Sequence, residues 1–381
     1  MYCSFHQQEI CRSCSQLHLE YTQTLQIKRD KLCELFAGVS VDDFPKKETA
    51  EGNRIRARLA VTGTLEEPVI GFFDDRQKVV PVTQCPLHYP LINTWVRGLP
   101  ELIRAARLTP YDVSTDRGEL KFVVLTCSPS SQQLMVQFVL RSREAVDRIR
   151  SLWRRMSETE KSLVPVMSIN LQPAKSSVIM GMEELSVSDQ TFLPIRFGER
   201  ELLYGPQSFL QTNYEAAVSL YSAAGQILQS IRAENVLDLY CGVGAFSLSA
   251  GAGAVSILGI DVSADAIACA NEAVRRNKID NAEYQCRSLE CTTVGQLNGQ
   301  CFDTVICNPP RRGLDAGSIS LMKALKPRHI MYSSCNATTL HRDWKLLADD
   351  YEMQALQPID MFPFTHHFEV LAVLKRRTEI V

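Results

Sequence analysis

The chain has 381 residues, of which 45% are hydrophobic and 22% are charged, as is typical of a globular protein with two or three domains. A net charge of −2 and a pI near 6.4 exclude the broadly basic face of many nucleic-acid binders, so any RNA contact needs a local basic patch. No apolar run is long enough to span a membrane, and the first residues do not resemble a secretory signal. We therefore expect a cytoplasmic protein with no membrane association and no obligate protein partner.

The hydrophobic pattern divides the chain into three segments. Residues 1–40 contain a cysteine cluster and a mixed polar helix. Residues 41–204 contain short apolar runs between Gly, Pro and Ser turns, and predict an antiparallel β-rich domain. Residues 205–381 alternate apolar strands with helical stretches, and predict a parallel, doubly wound α/β sheet. The predicted strands are 58–62, 121–125, 134–140 and 166–171 in the central segment, and 235–240, 255–261, 302–307, 329–334 and 368–374 in the C-terminal segment.

The N-terminal cysteines have the spacing of metal ligands. Cys3, Cys11 and Cys14 form a C-x7-C-x2-C pattern, and Cys85 follows far downstream, directly before Pro86. Thirteen cysteines in a long chain do not suggest a disulfide framework, so reduced, metal-bound or catalytic thiols are expected. Four thiolates suit either zinc or an iron–sulfur cluster, and spacing alone does not choose between them. Either metal centre would tie the N-terminus to the central domain.

A basic row is predicted at the start of the central segment. Arg54, Arg56 and Arg58 alternate with other residues, so on a strand their side chains share one face. Such a row is suited to successive phosphates of RNA. The alternative is a charged edge strand that prevents aggregation.

Three motifs of the C-terminal segment indicate a nucleoside cofactor. The loop Asp238–Phe246 follows a strand and contains a GxG turn at Gly242, but Ser247 replaces the third glycine of a dinucleotide fingerprint. Asp261 ends the next strand, where it can accept hydrogen bonds from ribose hydroxyls or simply cap a helix. Asn308-Pro309-Pro310 then ends a third strand and either presents its amide to cofactor or base, or forms a plain turn. Together, in this order, the motifs favour S-adenosylmethionine over NAD.

The chemistry of the target follows from two further residues. Amino-methyltransferases carry an aromatic residue after such an Asn-Pro-Pro turn, but this chain has Arg311 there. Cys335, in Ser333-Ser334-Cys335-Asn336, follows an apolar strand and is predicted at the carboxyl end of the sheet, where ligand chemistry collects. A thiolate there can attack a pyrimidine ring carbon. The alternative is a buried structural cysteine.

These motifs resemble those of the bacterial RNA uracil-C5 methyltransferase family over the full length of the chain, and most of all the branch that acts on uracil 747 of 23S ribosomal RNA. The resemblance implies a Rossmann-like class I methyltransferase domain after a β-rich RNA-recognition domain. The residues that carry it are Ser208–Asn213, Asp238–Gly242, Asn308–Gly313, Tyr332–Asn336 and Asp360–Glu369.

The resemblance also implies roles for individual residues. Cys335 would be the nucleophile that attacks uracil C6, and Glu369 the base that then removes the C5 proton, with His367 as a lesser candidate helper. The alternative is that Glu369 is an ordinary surface residue. Cys3, Cys11, Cys14 and Cys85 would hold a [4Fe-4S] cluster, with zinc as the alternative. The implied cofactor contacts are Gln211, Tyr240, Gly242, Asp261 and Asn308.

Other functions remain open at this point. A cytosine-C5 RNA methyltransferase also uses a cysteine nucleophile, and identifying the modified nucleoside separates the two. An iron–sulfur radical enzyme uses the same cofactor but needs a reductant. A non-catalytic RNA-binding module would bind RNA without methylating it. Arg311 and Arg312, beside the predicted active site, are expected to hold phosphates that flank a flipped base.

Overall fold

The computed structural model describes residues 1–45, 50–74, 78–176, 178–250, 253–297 and 299–377. They form two compact units. The first contains Met1–Cys14 and Thr49–Ile195, and the second contains Ser15–Glu48 and Arg196–Val381. This division differs from the expected segments 1–40, 41–204 and 205–381, because the helix predicted in the first segment belongs to the second unit. Residues 378–381 of the expected third segment lie outside the described residues.

All nine predicted strands are found in the predicted order, and the described residues contain seven more that we did not predict. No helix within the described residues is long and apolar enough to cross a lipid bilayer. The strands are β1 (Arg56–Gly63), β2 (Pro68–Phe73), β3 (Val79–Pro81), β4 (Leu120–Ser128), β5 (Gln133–Leu140), β6 (Val166–Leu171), β7 (Glu183–Ser186), β8 (Leu193–Phe197), β9 (Arg200–Tyr204), β10 (Asn235–Leu239), β11 (Ser256–Asp261), β12 (Ala282–Cys286), β13 (Thr304–Cys307), β14 (His329–Ser334), β15 (Tyr351–Ile359) and β16 (Glu369–Arg376). The helices are α1 (Ser4–Gln7), α2 (Tyr21–Leu35), α3 (Pro90–Ala105), α4 (Val146–Arg155), α5 (Glu158–Leu163), α6 (Tyr214–Ser230), α7 (Ala245–Ala250), α8 (Ala264–Arg276), α9 (Ala316–Leu325) and α10 (Ala337–Leu347), with short 3₁₀ turns at Leu289–Cys291 and Val294–Leu297.

The first unit is built on a mixed sheet with the strand order β3-β2-β1-β4-β5-β6-β7. Its neighbouring strands are antiparallel except for β5 and β6, which run parallel. The purely antiparallel sheet that we predicted is therefore wrong at this pair. The reason is the connection, because α4 and α5 carry the chain back between the two strands, as a parallel pair requires.

The second unit contains a sheet with the order β12-β11-β10-β13-β14-β16-β15. The first five strands are parallel, as predicted for a doubly wound sheet. The last strand, β16, lies between β14 and β15 and is antiparallel to both. The carboxyl ends of β10, β11, β13 and β14 consequently share one edge of the sheet with the amino end of β16.

The helix α2 packs into the core of the second unit. Its Leu32 and Phe36, the residue that follows it, are almost fully buried in the same apolar cluster as Leu239 of β10 and Leu340 of α10. A capping box between Glu20 and Gln23 satisfies backbone donors at its first turn. Burial of this apolar face explains why the polar-looking helix joins the α/β unit.

Candidate active site

The predicted cofactor residues meet at one edge of the second sheet. In the parallel ladder, Leu239 is level with Ile260 on one side and with Cys307 on the other. The residues that follow these three positions are Tyr240, Asp261 and Asn308. Parallel strands that end together bring these side chains to the same edge, which is where open α/β sheets bind their ligands.

The loop after β10 turns tightly through left-handed backbone. Tyr240, Gly242 and Gly244 have φ angles of 59°, 55° and 75°. A Cβ atom on Gly244 would lie 2.7 Å from the ring of Tyr284, so glycine is required there for space as well as for conformation. The loop thus turns tightly at the sheet edge and packs against Tyr284.

Asp261 fixes this loop to the next strand. Its Oδ2 accepts a hydrogen bond from the N–H of Gly242 at 2.9 Å, and its Oδ1 accepts one from the N–H of Ser263 at 2.8 Å. Ser263, rather than Asp261, caps α8. The neighbouring Val262 is 73% exposed, an apolar side chain at the cofactor edge that we did not predict.

Tyr240 reaches the same edge with its hydroxyl already engaged. The hydroxyl lies 2.6 Å from Asp315 Oδ2, to which it donates, and 2.8 Å from Ser318 Oγ. Burial and the neighbouring Asp315 raise the pKa of Tyr240, so the phenol stays neutral. The hydroxyl of Tyr240 therefore orients the loop against α9.

The motif Ser208–Asn213 leads directly into α6. Asn213 caps this helix by accepting from the N–H of Ala216 at 3.2 Å. Gln211 is buried, whereas Phe209, two residues earlier, is 65% exposed. Ser208 Oγ lies 3.9 Å from Cys269 Sγ on α8, the helix that follows Asp261. The exposed Phe209 is an aromatic surface suited to stacking, and the sequence did not single it out.

Cys335 and Glu369 are brought together by the antiparallel pairing of β14 with β16. The ladder ends with Ser334 opposite Val370. Cys335 directly follows β14 and Glu369 is the first residue of β16, and the charge of Glu369 acts on the Cys335 thiol. A thiol and a carboxylate thus share one end of the sheet, as the predicted chemistry requires.

The surroundings of this pair change both pKa values. Glu369 is 1% exposed, and burial raises its pKa to about 7, although a hydrogen bond from Ser333 opposes this change. Burial also raises the pKa of the half-buried Cys335 thiol, and the charge of Glu369 raises it further, while the guanidinium of Arg311 lowers it. A carboxyl group with a pKa near neutrality is well matched to proton transfer at physiological pH.

Arg311 links the Asn-Pro-Pro loop to the nucleophile. Its Nη2 lies 3.2 Å from Nδ1 of His367, and its carbonyl oxygen accepts a hydrogen bond from Asn336 Nδ2 at 3.3 Å. Burial and the positive charge of Arg311 lower the pKa of His367, so the imidazole is neutral. Arg311 is the cation whose charge lowers the pKa of the Cys335 thiol.

The segment that precedes Glu369 is fixed by the N-terminal part of the second unit. Gln16 donates its backbone N–H to the carbonyl of Phe364 at 2.9 Å, and its Nε2 lies 3.0 Å from His366 Nδ1. The ring centroids of Tyr21 and Phe364 are 5.4 Å apart. These contacts, which we did not predict, hold the loop from which Glu369 emerges.

The three N-terminal cysteines and Cys85 lie in the first unit, and their charges act on the thiols of Cys14 and Cys85. The pKa of the Cys14 thiol is raised to about 12, by burial first and then by Cys85, Cys11 and Cys3, while Arg54 lowers it. The backbone of Cys85 is fixed by Asn93, which accepts from its N–H and donates to its carbonyl. In the part of the chain that the structure describes, no group of His, Cys, Asp or Glu side chains is arranged to coordinate a metal ion.

The predicted row of three arginines is not a uniform exposed surface. Arg56 is only 5% exposed, and its Nε donates to Thr126 Oγ1 at 2.9 Å on the neighbouring strand β4. Arg54 lies before β1 and is half-buried, whereas Arg58 is exposed. The prediction that all three side chains offer themselves to phosphates is therefore wrong for Arg56, because it is buried against the sheet.

Comparison with known proteins identifies the family. The model of the tRNA (Uracil-5-)-methyltransferase family matches residues 20–377. The chain belongs to this family. An RlmC protein of Yersinia pestis (strain Pestoides F), a 23S rRNA (uracil(747)-C(5))-methyltransferase, is 35% identical over 379 residues, which cover 99% of this chain and 100% of the relative. The RlmC of Yersinia pseudotuberculosis serotype O:1b (strain IP 31758) is 36% identical over 381 residues, with the same coverage. The predicted resemblance is confirmed.

A solved structure supports the same fold. The tRNA (uracil-54, C5)-methyltransferase of Pyrococcus abyssi, in complex with S-adenosyl-L-homocysteine, superposes with a TM-score of 0.78 at 29% identity. The match covers 95% of this chain and 85% of the other. The α/β methyltransferase fold and the assignment to RNA uracil-C5 methyltransferases, and hence to enzymes, are thereby established for this member of the family.

Proposed function

We propose that this chain transfers a methyl group from S-adenosylmethionine to C5 of uracil 747 in 23S ribosomal RNA. The observation that carries the proposal is the pairing of β14 with β16, which sets the thiol of Cys335 beside the buried carboxyl of Glu369. The two RlmC relatives are named for this nucleotide and are similar over their whole length. A ribosomal RNA substrate also agrees with the expected cytoplasmic location.

In the proposed reaction, Cys335 activates the base. Its thiolate attacks C6 of uracil, and the electrons of the C5–C6 double bond move to form an enolate with high electron density at C5. Uracil C5 is otherwise too weak a nucleophile to accept a methyl group. Arg311 favours the thiolate by its charge, whereas burial and an ionised Glu369 oppose it. Arg311 is therefore the group that assists the attack, while Glu369 stays ionised for its later role as the base.

Glu369 completes the proposed reaction as the base. After methylation, C5 carries both a methyl group and a hydrogen atom, and C6 is bonded to sulfur. The carboxylate removes the C5 proton, the electron pair of that C–H bond restores the double bond, and the C6–S bond breaks to release the Cys335 thiolate. A pKa of about 7 lets Glu369 take up a proton here and release it before the next turnover.

The residues at the sheet edge fit S-adenosylmethionine, which supplies an electrophilic methyl group when bound. No atom lies within 4 Å of the Cβ position at Gly242, so its backbone is open to a ligand, and Gly244 lets the loop pack against the Tyr284 ring. Asp261 is held with its carboxylate at the strand end, where ribose hydroxyls are bound in related folds. We propose that Gln211, Tyr240, Gly242, Asp261 and Asn308 contact the cofactor, together with the exposed Val262.

The RNA contacts of this proposal are few and local. Arg54 and Arg58 of the first unit would bind phosphates, and Arg311 and Arg312 would bind those next to the flipped base. The exposed ring of Phe209 would stack on a base that has left its helix. Arg56 is excluded because it is buried against Thr126.

Labelled S-adenosylmethionine and 23S ribosomal RNA that lacks the modification test the function. We expect label in 5-methyluridine at position 747, and none with Cys335→Ala. Label at another uridine, in 23S or transfer RNA, would keep the reaction and change the substrate. Label in 5-methylcytidine would show that the protein methylates cytosine instead of uracil. RNA binding without label would indicate a non-catalytic module.

We also propose that Cys3, Cys11, Cys14 and Cys85 hold a [4Fe-4S] cluster in the first unit. Support comes from the donor set, since four thiols within electrostatic reach of one another are soft ligands suited to iron–sulfur clusters or zinc. The described geometry does not itself close a ligand shell. Because uracil methylation requires no electron transfer, the proposed role is to fix the N-terminus and position RNA.

Metal analysis of protein purified without oxygen separates the two metals. The cluster predicts about four iron and four sulfide per chain and little zinc. Cys85→Ser should lose most of the iron, whereas Cys301→Ser, which changes an exposed cysteine elsewhere, should retain it. One zinc per chain without sulfide, or full iron in Cys85→Ser, contradicts the proposal.

A further inference from the structure

Ser333 makes a buried hydrogen bond to the proposed base. Its Oγ donates to Oε1 of Glu369 at 2.6 Å, and the two residues are 0% and 1% exposed. No other hydrogen bond to this carboxylate is made by the described residues. Such a donor strongly stabilises a carboxylate that is removed from water, because hydrogen bonds to charged groups are stronger than those between neutral groups.

The register of the strands explains how Ser333 reaches Glu369. Ser333 lies opposite Leu371, two residues beyond Glu369 on β16. Side chains two apart on a strand share a face, so Ser333 and Glu369 are diagonal neighbours on one face of the sheet. Cys335 directly follows β14, two residues after Ser333, and the charge of Glu369 acts on its thiol. The hydroxyl and the carboxyl thus meet through one strand pairing, and the thiol lies at the end of the same strand as the hydroxyl.

We propose that Ser333 is a positioning residue for Glu369, which holds Oε1 in place so that Oε2 takes the C5 proton. This inference rests on the function proposed above. While Ser333 occupies Oε1, the proton from C5 is taken by Oε2, the C–H electron pair forms the C5–C6 double bond, and the C6–S electron pair returns to Cys335. Without the hydroxyl, the carboxyl group can rotate, and its protonated form is favoured.

The charges around Glu369 make this effect measurable. Cys335, after β14, and Tyr221, on α6, interact with its charge, and Arg311 acts on Cys335. Tyr221 is fully buried with its pKa raised well above the usual value, so it stays neutral. From β15, the apolar Ile359 lies opposite Glu369. Ser333 is consequently the neighbour that stabilises the carboxylate directly, against the effect of burial.

The test compares two steps of one turnover in Ser333→Ala. Methyl transfer to RNA and release of RNA from the covalent adduct are followed separately, by labelled methyl and by denaturing gels. We expect transfer within about threefold of wild type and release slowed roughly tenfold near neutral pH, so that methylated adduct accumulates. The acidic limb of the release rate should move to higher pH by about one unit, a tenfold change in carboxylate population. A general loss of structure would slow both steps and leave the limb in place.

An isosteric pair provides the control. Ser333→Thr keeps the hydroxyl and should release RNA like wild type, whereas Ser333→Val replaces it by a methyl group and should behave like Ser333→Ala. If Ser333→Ala does not fold, the Thr and Val variants decide the question. Wild-type release and an unshifted limb in the folded alanine or valine variant overturn the inference. Wild-type protein that forms no 5-methyluridine instead overturns the proposed function, so the two failures are distinct.

Discussion

The ammonium group of Lys28 donates to Oδ1 of Asp360 at 2.6 Å, and both side chains are buried. Tyr21 donates to the other carboxylate oxygen at 2.7 Å, and Lys28 also donates to the carbonyl of Phe362 at 3.1 Å. The pair joins α2 to the start of the loop that leads to Glu369. A contact outside the proposed catalytic residues thus fixes the start of that loop against α2.

Lys28→Met should destabilise the second unit by about 3 kcal/mol, because it leaves the buried carboxylate of Asp360 without its cation. Urea denaturation measures this loss. Lys28→Met combined with Asp360→Asn removes both charges and keeps an acceptor for Tyr21, so it should recover most of the stability. A double variant as unstable as the single one would show that the ion pair is not the cause.

Glu369→Gln should change how stability depends on pH. Folding raises the pKa of Glu369 from 4.5 to about 7, so between these values the folded protein holds a proton that the unfolded chain has released. The unfolding free energy therefore falls as pH rises through this window, by about 3 kcal/mol. Glutamine does not titrate, so the free energy of unfolding of the variant, relative to that of wild type, should rise between pH 5 and pH 8. Asp238, also with a pKa of about 7, is present in both proteins and cancels. Parallel stability curves would rule out the raised pKa.

Gly244→Ala should weaken binding of S-adenosylhomocysteine. It should also lower the free energy of unfolding by about 2 kcal/mol more than Gly242→Ala does. Both glycines have positive φ, so both variants are strained in the backbone. Only at position 244 does the added Cβ meet the Tyr284 ring, since no atom lies within 4 Å of the corresponding position at Gly242. Titration calorimetry measures binding by the two variants, and denaturation measures their stability. The difference between the variants separates the steric overlap with Tyr284 from the backbone strain that both share. Equal losses would show that conformation alone explains the requirement for glycine.

Arg311→Ala should slow alkylation of Cys335 by iodoacetamide several-fold at neutral pH. The guanidinium of Arg311 lowers the pKa of this thiol, so its removal reduces the thiolate fraction. Arg312→Ala removes a neighbouring charge and is the matched control, for which we expect the wild-type rate. Peptide mass spectrometry distinguishes Cys335 from the other cysteines. A similar decrease in both variants would indicate a general change in the loop.

The local sequence pattern predicted those site residues whose position is set by the end of a single strand. Cys335 follows the apolar strand β14, and Asp261 ends β11, as expected. Sequence could not supply the insertion of β16 between β14 and β15, which sets Glu369 opposite Cys335 and beside Ser333. Such pairing joins residues far apart in the chain, and neither turn chemistry nor periodicity encodes it.

Burial caused the other differences between prediction and structure. The alternation of arginines around Arg56 predicts that their side chains share one face of the strand. It does not predict which of these side chains are covered by other parts of the protein, and Arg56 is buried. For the same reason α2, polar on average, was assigned to the cysteine segment, although Leu32 and Phe36 belong to the core of the second unit. Both misassignments concern residues whose environment is set by distant parts of the chain.

The position of β16 has a consequence for how the enzyme becomes active during folding. β15 and β16 pair with each other, and of the two only β16 meets β14, so they can dock onto the growing sheet as one hairpin. The thiol follows β14, whereas the carboxylate reaches it only when β16 is in place. Under the proposed mechanism, a chain in which β16 has not yet docked would form the adduct with uracil and be unable to release it. Recovery of RNA release in refolding should therefore appear together with protection of the β16 amides, and not before.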